Sequence, residues 1–140
     1  MLDSVRCVIL RGGTSKGIYL KESDLPTNSK ERDRTILEIF GSPDKRQING
    51  LGGADPLTSK VCVIGPPPVD NPKAKGAQLT YTFGQVEIDK PEVDYHSLCG
   101  NLTSGVGVFA IWEQMVEPTS PVTTVRIYNT NLDSMLLVEV

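Results

Sequence analysis

Histidine is almost missing from this chain: His96 is the only one in 140 residues. A Ser-His-Asp triad or a site built from several imidazoles has nothing to draw on. Cysteine is sparse as well. Cys7, Cys62 and Cys99 are an odd number and lie far apart, with neither zinc-ligand spacing nor a disulfide framework. All three are expected to be reduced thiols, and the protein is read as cytoplasmic. There is no dinucleotide fingerprint, so neither a metal nor a cofactor is expected. No apolar run reaches the ~18 residues that span a bilayer. The opening MLDSVRCVIL carries an acid and an arginine where a signal peptide has a basic start and a longer apolar stretch. Fourteen Lys and Arg face seventeen Asp and Glu, a net charge of −3, and there is no basic tail. Aromatics are few and do not interleave with basic residues. These absences argue against nucleic acid or a membrane as a partner. Internal repeats and low-complexity segments are absent too.

What is present centres on SLCGNLTSGVGVFAIWE, residues 97–113. It reads as a loop that delivers Cys99 to the start of an apolar helix, about Asn101–Val116. Gly100 and Asn101 lie where the first helical amides lack internal partners and carry partial positive charge. Such an end suits a carboxylate and depresses the pKa of a thiol placed there. A buried cysteine beside a packed core helix fits the same residues.

Val5–Leu10 is β-branched and apolar, a first strand. It runs into RGGTSKG, residues 11–17, where glycines flank two hydroxyls and a lysine. A Walker loop would place its Lys-Ser/Thr after the second glycine and open a helix, whereas Ile18–Leu20 reads as a returning strand. The loop is either an anion-binding turn or a hairpin with solvated charges. Asn28 or Ser29 caps a helix through Phe40, with Gly41 as its stop. Residues 42–60, SPDKRQINGLGGADPLTSK, form a loop long enough to be either functional or flexible. Lys60 ends it at the mouth of the strand Val61–Ile64. It is a candidate base, or an edge lysine whose stem lies along apolar surface.

Residues 65–76 form a surface excursion, and Gln78–Ile88 alternates as a half-buried hairpin or bent strand. Val122–Tyr128 and Met135–Val140 are two further strands joined by an Asn/Asp turn. Helices that do not alternate regularly with strands indicate an α+β fold rather than a doubly wound sheet. The chain stops on LLVEV, which reads as mid-strand.

RGGTSKG (11–17), GSPDKRQINGLGGADPLTSK (41–60), FGQVEID (83–89) and CGNLTSGVGVFAI (99–111), in this order, resemble the PrpF family. That family includes isomerases and tautomerases of unsaturated carboxylates such as 2-methylaconitate. The Cys-Gly-Asn element is also similar to that of diaminopimelate epimerase. The resemblance implies a diaminopimelate epimerase-like domain, a mostly antiparallel sheet curled around a central helix. It implies that residues 1–140 are one domain, the first of two, with the second absent and the active site in the cleft between them.

By the same resemblance Lys60 and Cys99 are the acid/base pair, and Thr14, Ser15, Gly100 and Asn101 contact substrate carboxylates. Asn49 stands where the family often carries an acid. The implied activity is a cofactor-independent proton shift in an unsaturated di- or tricarboxylate. The alternative is a truncated, non-catalytic domain that binds a small carboxylate or a partner protein. Epimerisation of an amino acid ranks lower, because it needs a second facing cysteine. An unclosed face also makes a homodimer conceivable.

Overall fold

The computed structural model describes residues 4–140. Among these, seven strands form one sheet with a helix packed on each face. The strands are β1 (Val8–Gly12), β2 (Ser15–Lys21), β3 (Lys60–Gly65), β4 (Leu79–Val86), β5 (Val93–Asp94), β6 (Thr124–Asn129) and β7 (Ser134–Glu139). The helices are α1 (Ser29–Phe40) and α2 (Gly100–Trp112). The sheet order is β1-β2-β3-β4-β6-β7, with β5 also on β4. The β2–β3 and β4–β6 pairs are parallel and the other four are antiparallel.

Alternation of side chains across the pleat divides the core in two. Ile18, Leu20, Val61 and Val63 turn toward α1 and join Ile36, Leu37 and Phe40. Tyr19, Cys62, Ile64, Leu79, Tyr81 and Phe83 turn toward α2 and join Leu102, Val106 and Phe109. Both faces of β3 are therefore covered, which is why its sequence is apolar without alternation. The ring of Tyr19 stacks on Phe109 with centroids 5.9 Å apart.

The sheet curls so that its two ends approach α2. Gly12, in β1, lies against the backbone of Asn101, where a Cβ would stand 2.1 Å from the carbonyl oxygen. At the far end a Cβ on Gly107 would stand 2.7 Å from Val140 and 2.9 Å from Val138. The other end of α2 is tied down by Glu113, whose nearly enclosed carboxylate pairs with Arg6 and, at 3.2 Å, with Lys21. Those two cations hold its pKa below the usual carboxylate range although burial pushes the other way.

Several elements depart from the sequence pattern. The first strand begins at Val8 rather than Val5 and extends into the glycine loop, leaving Gly13-Thr14 as a two-residue turn. Gly13 takes φ +54°, the left-handed conformation that glycine accommodates. The 78–88 stretch is a single strand, β4, and the short β5 follows it. The helix α2 stops at Trp112, because Gln114 turns left-handed at φ +58° and the amides of Met115 and Val116 fold back to the carbonyl of Ala110. No helix among the described residues is long and apolar enough to cross a membrane.

Candidate active site

The strand β3 opens on Lys60, which belongs by alternation to the α2 side, with Cys62 and Ile64. It pairs with Gly17 on β2 and Gln85 on β4. Gly17 has no side chain to oppose it, and a Cβ there would stand 2.6 Å from Leu102. The lysine stem lies near Phe83, with Nζ 5.9 Å from the ring centroid. From there Nζ reaches Cys99 Sγ at 3.4 Å. Cys99 is the N-cap of α2, and no side chain closes that helix end. Ser15, the first residue of β2, sets its Oγ 3.6 Å from Sγ.

Lys60, Cys99 and Ser15 are each no more than 9% exposed and form the floor of the site. Thr14, Gly100 and Asn101 are exposed and form its rim. The Asn101 amide donates to Thr14 Oγ1 at 3.1 Å, tying the β1–β2 turn to the helix start. The turn can come that close because Gly12 and Gly13 face Asn101 without side chains. All six residues singled out in the sequence thus meet around one end of α2.

The electrostatics distinguish Cys99 from its neighbour. Burial by itself raises the Cys99 thiol. The backbone amide of Leu102, the Ser15 hydroxyl and the Lys60 amine outweigh it, so its pKa lies below the ordinary thiol value. The Leu102 amide approaches the sulfur without the geometry of a full cap. Cys62, one layer beneath and 3.8 Å from Tyr81 Oη, is pushed up to about 12 by its complete burial. At neutral pH Cys62 is a thiol, and Cys99 is the sulfur poised to ionise.

Three supporting residues were not singled out in the sequence, although Gln47 and Gln85 lie inside the 41–60 and 83–89 motifs. Tyr19 donates to the carbonyl of Leu102 at 2.6 Å, in the first turn of α2. Gln47 is enclosed in the 42–59 segment, and Gln85 Nε2 donates to the carbonyl of Ser59 at 3.0 Å. The contacts of Tyr19 and Gln85 join residues far apart in the chain, and those of Gln47 follow no period, so no local pattern predicts them. The glycine at 105 was the one available hint, since a Cβ there would stand 2.4 Å from Tyr19 Oη. Among the described residues, no group of three or more His, Cys, Asp or Glu is placed to hold a metal ion.

The family model described as PrpF protein matches residues 2–140. The chain belongs to the PrpF family. It is 53% identical to 3-methylitaconate isomerase of Eubacterium barkeri, over all of this chain and 36% of that protein. It is 43% identical to 4-oxalomesaconate tautomerase of Pseudomonas putida, over 97% of this chain and 36% of that protein. A crystal structure of methylitaconate-delta-isomerase superposes with a TM-score of 0.90 at 54% identity, covering 97% of this chain and 34% of that one. The α+β curled sheet is therefore the fold of this PrpF chain, as its sequence predicts. The chain spans about a third of the length of the curated relatives it matches.

Proposed function

We propose that the protein is a cofactor-independent isomerase that moves a proton within an unsaturated di- or tricarboxylate, and that this chain supplies the acid/base half of its site. The observation that carries this reading is the 3.4 Å contact between Lys60 Nζ and Cys99 Sγ at the uncapped start of α2. The names of the PrpF relatives, which are isomerases and tautomerases of unsaturated carboxylates, support the substrate class.

The substrate carboxylates rest on the rim, against Thr14 and the amides of Gly100 and Asn101, with the Ser15 hydroxyl beneath them on the floor. There the helix end supplies partial positive charge. The Leu102 amide, the Ser15 hydroxyl and Lys60 favour the thiolate form of Cys99, from which the forward step starts. Sγ removes a proton from the carbon allylic to the double bond. The electron pair delocalises through the double bond into a carboxylate, and the amides hold the extended enolate. Lys60 delivers a proton to the other terminus of the allylic system, so the double bond moves and substrate and product have the same composition. The thiol then returns its proton to the amine across the contact. Starting from neutral amine and thiol, the reverse direction makes Lys60 the base and Cys99 the acid. A second domain over this face would exclude water and complete the carboxylate contacts.

A second reading has its own support. A sizeable groove on the α1 side, lined by Val5, Cys7, Leu25, Ile39 and Leu51, includes neither Lys60 nor Cys99, and the rim residues of the pair are solvent-exposed. A half-site open to water binds a carboxylate without turning it over. Proton NMR of methylitaconate in D₂O with the chain separates the two readings. Loss of methine or vinyl proton signal above the buffer blank, abolished by Lys60→Ala, supports the isomerase. Ligand shift changes without exchange mean a carboxylate-binding domain.

A further inference from the structure

Lys60 is placed by its ladder partners Gly17 and Gln85 and by the segment before it, residues 42–59, which contains no strand and only the short 3-10 turn Pro56–Thr58. That segment encloses one large polar side chain. Gln47 is 1% exposed and sits at φ +45°, a conformation that costs a non-glycine residue backbone strain. Its Oε1 accepts from the Ala54 amide at 2.7 Å and from Ser59 Oγ at 2.9 Å. Its Nε2 donates to Ser42 Oγ at 3.0 Å. Gly52 lies against this amide, and a Cβ there would stand 2.2 Å from it. One side chain thus joins the start, the middle and the end of the segment.

The end of the segment is Ser59, which is fully buried. Gln47 holds its hydroxyl, and its carbonyl accepts from the Val86 amide at 2.9 Å and from Gln85 Nε2 at 3.0 Å. Ser59 is fixed on both sides, and the next residue is Lys60. Ser59 and Lys60 are consecutive, so a displacement of Ser59 passes into the backbone that sets the Lys60–Cys99 contact. A buried donor left without its acceptor makes such a shift favourable.

We propose that Gln47 is a positioning residue for the Lys60–Cys99 pair, acting through Ser59. The inference rests on reading that pair as the working groups. It goes further by assigning the pair's geometry to a side chain that touches neither member. A merely structural Gln47 would stabilise the loop and leave the ionisation of Cys99 untouched. A positioning Gln47 sets how closely the ammonium approaches the sulfur, and so how readily the thiol ionises.

The test is the pH profile of Cys99 alkylation by iodoacetamide, followed by mass spectrometry on the 140-residue chain. The variants are Gln47→Met, which keeps the volume and removes the acceptor, Ser59→Ala, Lys60→Met, and the Gln47→Met/Lys60→Met double. Gln47→Met is expected to move the profile to higher pH and slow labelling at pH 7 roughly tenfold, the effect of about one pKa unit. Lys60→Met is expected to match it, and the double variant to add nothing further. Ser59→Ala is expected to move the profile the same way by a smaller factor. A folded Gln47→Met with the wild-type profile overturns the proposal, as does a Gln47→Met shift that persists undiminished without Lys60. If Gln47→Met does not fold, Ser59→Ala decides: an upward shift supports the proposal and an unchanged profile overturns it. Alkylation does not require turnover. Failure of the isomerase reading in the NMR exchange experiment therefore leaves this labelling pattern as it is.

Discussion

The two helices begin in opposite ways. Asn28 closes α1: its side-chain oxygen accepts from the amides of Lys30 and Glu31 at 3.0 and 3.1 Å, and Glu31 places an acid in the first turn. Cys99 begins α2 with no capping oxygen, and its first turn contains no acid. The contrast extends along both. α1 buries one stripe of Ile36, Leu37 and Phe40 and exposes most of its charges, with Arg32 and Asp33 half-buried, whereas α2 is apolar almost throughout and wrapped by the sheet. A helix that satisfies its own first amides can only support the fold. One that leaves them open, with a lysine and two hydroxyls facing the gap, has donors to spare for an anion.

Substitutions at the two ends sharpen that contrast. The largest effect is expected for Lys60→Ala. On the proposed isomerase reading it should lower proton exchange in methylitaconate by about 10²–10⁴-fold, the usual range for removing an acid/base group, with little change in urea stability. Retained exchange would remove Lys60 from the chemistry. Next comes Leu102→Ala, beneath the open end. Leu102 is fully buried, so urea unfolding should show a loss of about 2–5 kcal/mol. A loss under 1 kcal/mol would mean that α2 is not the centre of its core. The cysteines offer a third comparison. Iodoacetamide at neutral pH should modify Cys99 and spare Cys62, which should react only on unfolding. Equal labelling would make Cys99 an ordinary buried thiol. The smallest effect belongs to the closed end. Asn28→Ala should cost about 1 kcal/mol in urea unfolding and leave Cys99 labelling unchanged.

The same contrast explains what was legible in the sequence. Helix α1 could be bounded to within a residue, with Asn28 or Ser29 as the cap and Gly41 as the stop, because both ends are local signals; the structure selects Asn28 and sets Gly41 at φ +79°. The six candidate site residues were picked out by the resemblance of their motifs to the PrpF family, since by position alone Lys60 also reads as an edge lysine and Cys99 as a core thiol. The order inside residues 42–59 was not, since it depends on Gln47 meeting Ala54 and Ser59 in space and follows no period. The edge of β4 is a similar case. Between its partners β6 and β5, the side chain of Asn131 accepts from the Phe83 amide at 2.7 Å and donates to the Phe83 carbonyl at 2.8 Å. A turn asparagine that completes a sheet looks in sequence like any other turn asparagine. The sequence pattern also overran the end of α2, because the backbone reversal at Gln114 involves a residue with no particular preference for it.

The most direct test of the Lys60–Cys99 pair is a pH titration of the Cys99 ¹³Cβ resonance by NMR, in the native chain and in Lys60→Met. The Leu102 amide, the Ser15 hydroxyl and the lysine at 3.4 Å together should hold the native thiol below the ordinary thiol value. Loss of that cation should raise the midpoint, leaving less thiolate at neutral pH. Coincident titrations would show that the two groups do not share a charge, and would contradict the pair as the centre of the site.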